Sequence, residues 1–193
     1  AILAQQRASN QESIFEGRRI KLVDGTSMTL SDTPANREAF PKTQVKNKET
    51  SFPMIRMVGL FCLKSAAMLS AVSGNFHQSE NGLFVQLIDK MSPGDIIVGD
   101  RGFCGYVLIC LLGQRQVDFI GRCKRKFKKT QARQRLGRYD WIVCWKRGAS
   151  KAPFLSEEQS QQIPEEKQLR IVRGSIHKRG FRVVRMTLAT TLL

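Results

Sequence analysis

Gly94-Asp-Ile-Ile-Val-Gly-Asp-Arg-Gly-Phe103 is the stretch on which the reading of the fold turns. Residues 95–98 read as a buried strand that runs into a tight, glycine-flanked turn, and the turn sets Asp100 at the strand's carboxyl end, just ahead of a helical pattern. An acid at the mouth of an apolar strand is costly unless something positive meets it. Asp100 is therefore the first candidate for chemistry.

Working outward, residues 18–24 alternate apolar and basic before reaching Asp24-Gly25-Thr26, which reads as a second strand delivering an acid to a turn. Residues 26–50 are polar and punctuated by Pro34 and Pro41, so they read as a long loop with one helical turn. Residues 54–64 and 67–73 read as two further strands. Leu83, Phe84, Leu87 and Ile88 form a helical stripe, capped by Ser79 or Asn81 and stopped at Pro93-Gly94. After the Asp100 turn a helix is expected over 104–114 and a strand over 117–121. The order is three strands, helix, strand, helix, strand, which describes an α/β layer with mixed strand directions.

Beyond residue 122 the character changes. Residues 122–138 carry nine lysines and arginines and no acid, within a chain of 193 residues whose 32 Lys+Arg against 16 Asp+Glu leave a net charge of +16. Such an excess favours polyanionic partners, nucleic acid or an anionic membrane. The membrane reading is weak, because the most apolar segment, residues 57–76, is broken by Lys64 and three serines. A run of charge is often only solvated surface, but an acid-free run of this size suits phosphate contacts, with Lys124, Arg125, Lys126, Lys128 and Lys129 as candidates. Arg101 either touches a phosphate or pairs with a local acid. Trp141 and Trp145 lie four apart in an expected strand and so face one side, either packing in the core or stacking on an exposed base. Later strands are expected around 169–173 and 181–190. The five cysteines are scattered without a C-x-x-C pair and read as reduced core residues rather than a metal site or disulfide framework.

Asp24 and Asp100 each close a strand of one sheet, so neighbouring ends could bring two carboxylates together. Without a cation they would repel; with Mg²⁺ or Mn²⁺ both stay ionised as hard oxygen ligands. Competing readings are an Asp-Gly turn, and a dinucleotide loop at Gly99, Gly102 and Gly105, whose G-x-x-G-x-x-G spacing is wrong for that purpose.

Leu22-Val23-Asp24-Gly25-Thr26, the following segment from Leu30 to Asn36 with Ala39-Phe40-Pro41, and Asp100-Arg101-Gly102-Phe103-Cys104 together resemble the first two acidic blocks of the IS4-type DDE transposases. Residues 154–158 and the terminal Leu188-Ala-Thr-Thr-Leu-Leu193 resemble landmarks of that family's insertion region. The resemblance implies a ribonuclease-H-like catalytic core, incomplete here, over residues 18–122, preceded by an upstream remnant (1–17) and followed by a basic, β-rich insertion subdomain (123–193). It implies Asp24 and Asp100 as catalytic metal ligands, Mg²⁺ or Mn²⁺ as cofactor, and transposon-end and target DNA as partners. It also implies that the intact protein is a dimer on DNA with a cytoplasmic location, bacterial and nucleoid-associated. The third acid of the family belongs to a Tyr, Arg, Glu, Lys block expected after Leu193, so the chain is expected to be an internal, inactive fragment. The alternatives are a non-catalytic DNA-binding remnant and a metal-dependent nuclease on the same core.

Overall fold

The computed structural model describes residues 14–42, 44–45, 48–49, 52–149 and 152–193, and the 1–17 remnant lies mostly outside them. A short strand β1 (Ile14–Phe15) pairs with the long β2 (Arg18–Thr29), which is followed by helix α1 (Pro34–Ala39) and the small hairpin β3 (Gln44–Val45) and β4 (Lys48–Glu49). Next come β5 (Met54–Cys62), β6 (Met68–Asn75), α2 (Glu80–Ile88), β7 (Ile96–Gly99), α3 (Tyr106–Gln114) and β8 (Asp118–Arg122). The chain finishes with β9 (Ala132–Gly137), β10 (Asp140–Lys146), α4 (Glu157–Gln161), β11 (Glu166–Ile176) and β12 (Val184–Thr190).

Apart from the separate β3-β4 hairpin, the strands make one mixed sheet in the order β6-β5-β2-β7-β8-β12-β11-β10-β9, with β1 added beside β2. Its first half has an antiparallel meander (β2, β5, β6) and then two strands parallel to β2 (β7, β8), each reached through a helix. In chain order these five strands stand 3-2-1-4-5 with the second reversed, which is the ribonuclease-H-like arrangement. The basic half is hydrogen-bonded onto β8 through three residue pairs of β12 and extends the same sheet as an antiparallel meander. Among the described residues no helix is long and apolar enough to cross a membrane.

Side chains alternate across a sheet, so the registers separate its two faces. Val23, Val58, Leu60, Ile97, Phe119, Ala189, Ile171, Leu169, Trp141, Val143 and Trp145 share one face and are buried in a single core cluster. Helices α2 and α3 cover that face with Leu83, Phe84, Leu87, Leu108, Ile109 and Leu112. The opposite face carries Leu22, Met57, Phe61, Val98, Ile120, Leu188, Val172 and Ile142, all only half-buried.

Several expectations needed revision. Asp24-Gly25 does not end its strand, because β2 keeps pairing with β5 from Asp24↔Gly59 to Thr29↔Met54 and the ladder overrides the local turn signal. The loop expected from residue 26 therefore starts at residue 30, and its one helical turn is α1, capped by the Thr33 side chain with Pro34 in the first turn. Part of the basic run is strand β9, whose side chains are largely exposed and give no apolar alternation to read.

Candidate metal centre and cationic cavity

The parallel register of β2 and β7 runs from Ile20↔Ile96 to Val23↔Gly99. One step further stand Asp24, still within β2, and Asp100, just past the end of β7, on neighbouring strands whose backbones lie about 4.8 Å apart. Two glycines allow the close geometry there. A Cβ at Gly99 would lie 3.0 Å from Val23 and 3.2 Å from Phe103, and one at Gly121, on the next strand, would lie 2.8 Å from the Gly99 carbonyl oxygen. The chain can thus fold Phe103 down into the core immediately after Asp100, leaving the carboxylate at the surface.

Both acids are exposed, and each is held by one backbone donor: Gly25 N–H donates to Asp24 Oδ1 at 2.9 Å and Gly102 N–H to Asp100 Oδ1 at 2.6 Å. The other five aspartates of the chain are ion-paired: Asp32 with Arg37 and Lys42, Asp89 with Arg115, Asp95 with Arg19 and Lys21, Asp118 with Arg18, and Asp140 with Arg170. Among the described residues, Asp24 and Asp100 are the two aspartates with no cation within salt-bridge range. In a chain with twice as many bases as acids, that is the arrangement expected of carboxylates kept for a mobile cation. The hard oxygen donors, their exposure and their adjacency fit a divalent ion. Among the described residues no third Asp, Glu, His or Cys joins them in a metal-binding group. Glu80, unnoticed in the sequence, comes nearest to β2 here: its carboxylate packs against Gly25 from the helix-covered face of the sheet.

Further along the sheet, β8 and β12 part company. Their ladder ends at Arg122↔Leu188, with one further bond from Cys123 N–H to the Thr187 carbonyl. The gap beyond is a cavity of about 440 Å³ lined by Arg101, residues 122–126, Arg173 of β11, and residues 185–187 of β12. Arg101 shares this lining with Lys124, Arg125 and Lys126 of the basic run, while Lys128 is exposed outside the lining and the Lys129 side chain lies outside the description. Arg122, Arg173 and Arg185 complete the lining. Arg173 and Arg185 are far away in sequence, so only the strand register reveals them. Cys123, also in the lining, has its thiol pKa lowered to about 7, first by a hydrogen bond with Cys104 and further by Arg125.

The two tryptophans require a correction to the base-stacking reading. Trp141 is 2% exposed and Trp145 9%, both on the core face, because their spacing puts them on the side that α3 covers. Tyr106 and Phe127 pack edge-on against Trp145. The guanidinium of Arg173 lies over Trp141 at 4.9 Å, and that of Arg125 lies 5.7 Å from the ring centre of Trp145. As placed, these rings meet arginines and core residues, not bases.

The sheet order and strand directions place the chain in the ribonuclease-H-like fold class. The family model described as "Transposase DDE domain" matches residues 16–191, and the chain belongs to that family. It is 28% identical over 130 residues to the transposase InsG for insertion sequence element IS4 of Escherichia coli (strain K12), covering 66% of this chain and 29% of InsG. It is 26% identical over 115 residues to InsZ of the same strain, also named as a transposase, covering 58% of this chain and 38% of InsZ. The chain therefore relates to an IS4-type transposase over about a third of such a protein's length. A solved piggyBac transposase synaptic complex with hairpin DNA aligns with 89% of the chain and 32% of its own, at 13% identity and a TM-score of 0.41.

Proposed function

We propose that this chain is the part of a DNA transposase that holds two of its three metal-binding acids, Asp24 and Asp100, together with part of its DNA grip. The observation that supports the reading is the Val23↔Gly99 register of β2 and β7, since Asp24 and Asp100 are the next residues along these two neighbouring strands. A bound Mg²⁺ or Mn²⁺ would supply an activated water or 3′ hydroxyl and stabilise the leaving oxygen of a phosphodiester. Asp24 and Asp100 would hold that ion through the oxygens their backbone donors leave free, the Gly25 and Gly102 N–H groups fixing the carboxylates' orientation. The surrounding bases would steer and anchor the DNA backbone. We assign residues 18–122 to the metal-bearing core and 123–193 to the DNA-holding extension. The third carboxylate would arrive on a helix laid against the half-buried sheet face; without it, the chain binds DNA and does not cut it.

In the full-length transposase, Asp24→Asn and Asp100→Asn are each expected to reduce Mg²⁺-dependent cleavage at transposon ends by at least about a hundredfold while DNA retention in a gel-shift assay is kept. Cleavage at the parental rate in either variant would overturn the metal assignment. Efficient cleavage by the present chain alone would overturn the need for a third acid.

A further inference from the structure

The cavity where β8 and β12 separate has a chemistry of its own. None of its lining residues is acidic, and among the described residues none of its seven cations has a carboxylate within salt-bridge range. Seven positive charges around one space of about 440 Å³ repel each other strongly unless an anion enters. Two of them are also fixed in place. Arg173 rests on Trp141 and donates from Nη2 to the Phe127 carbonyl at 2.8 Å, and Arg125 rests against Phe127 and Trp145 at 5.4 and 5.7 Å. Stacked guanidinium groups lose little freedom when they bind an oxyanion, and their donors suit phosphate oxygens.

We propose that this cavity is a preorganised phosphodiester-binding site in which the buried Trp141 and Trp145 act as positioning residues, holding Arg173 and Arg125 toward a DNA backbone that Arg101 leads on to Asp100. The proposal rests on the DNA reading above and adds to it which phosphate contacts matter and what the tryptophans do. Arg122 and Arg185 close the two sides of the gap, one from each departing strand. Both are exposed and have no hydrogen-bond partner among the described residues, so they can be changed without disturbing the core. Cations that hold phosphate oxygens fix the position of a duplex without reading its sequence.

The test uses this chain and a 20-base-pair duplex of arbitrary sequence. Arg122→Ala with Arg185→Ala should flatten the slope of log Kd against log salt by about 2, at about 0.9 per phosphate contact. Lys64→Ala with Lys90→Ala removes the same charge elsewhere on the surface and should flatten it by less than half as much. Cys123 gives a reading independent of any variant, because its thiol lies in the lining and the Cys104 hydrogen bond, helped by Arg125, lowers its pKa to about 7. With duplex at ten times its Kd, iodoacetamide labelling of Cys123 should slow about tenfold. Equal slopes for the two double variants, or unprotected Cys123 in a chain that binds DNA, would overturn the cavity and leave the DNA reading standing. A chain that fails to bind the duplex at all would overturn the DNA reading itself.

Discussion

Asp95 and Asp100 flank the same short strand and meet opposite fates. Asp95 is 1% exposed, takes Lys21 Nζ at 2.5 Å and Arg19 Nε at 3.1 Å, and accepts from the Ser92 N–H at 2.8 Å. Its charge is fully met from within the fold, whereas that of Asp100 is met only by one backbone N–H. Asp95→Asn leaves Lys21 buried without its counter-charge and should cost about 3 kcal/mol or more. Asp100→Asn removes repulsion from Asp24 and should change stability by less than about 0.5 kcal/mol. It should also abolish any rise in the urea midpoint on adding Mn²⁺. Urea unfolding with and without Mn²⁺ measures both; equal costs for the two substitutions would contradict the division of roles. The sequence points to Asp24 and Asp100 through strand ends and glycines. It is silent on Asp95, because the cations that neutralise it come from β2, more than seventy residues earlier.

At the scale of elements, the paired strands β7 and β8 approach closely at Gly99 and Gly121. A Cβ at Gly121 would stand 2.5 Å from Phe119 and 2.8 Å from the Gly99 carbonyl oxygen, and the latter is backbone that cannot swing aside. Gly121→Ala is therefore expected to destabilise by about 1–3 kcal/mol and to shift the Asp100 turn. Ala at Gly148, which has open space around it, should be nearly neutral. A Gly121→Ala protein with unchanged unfolding midpoint would show that the strands have room to part. The same elements show what was legible beforehand. Helices α2 and α3 declare themselves through apolar spacing, and α2 also through its Ser79 cap, whose oxygen accepts from Gly82 N–H at 3.0 Å. The strand orders and the true end of β2 do not, since pairing with β5 decides where β2 stops. The cavity was half legible: its contiguous bases stand out as a run, but Arg173 and Arg185 join only through the β11-β12 register.

The whole molecule is lopsided, and that has measurable consequences. On the second face of the sheet Leu22, Val98, Ile120 and Leu188 stand half-buried, whereas the first face is covered by α2 and α3. Consecutive residues on β8 sample the two sides: Phe119 is 0% exposed under α3, and Ile120 points to the open face. Phe119→Ala should cost about 3–5 kcal/mol, through lost burial and the cavity left behind. Ile120→Thr should cost less than about 1 kcal/mol in this chain, because little packing is lost there. If a helix covers this face in the full-length transposase, the same Ile120→Thr change should become distinctly more costly there, as it would then bury a hydroxyl against apolar neighbours. Paired urea titrations of the chain and of the longer protein measure the difference. An equal, small cost in both would mean that the open face stays open, and that the third carboxylate reaches Asp24 and Asp100 by another route.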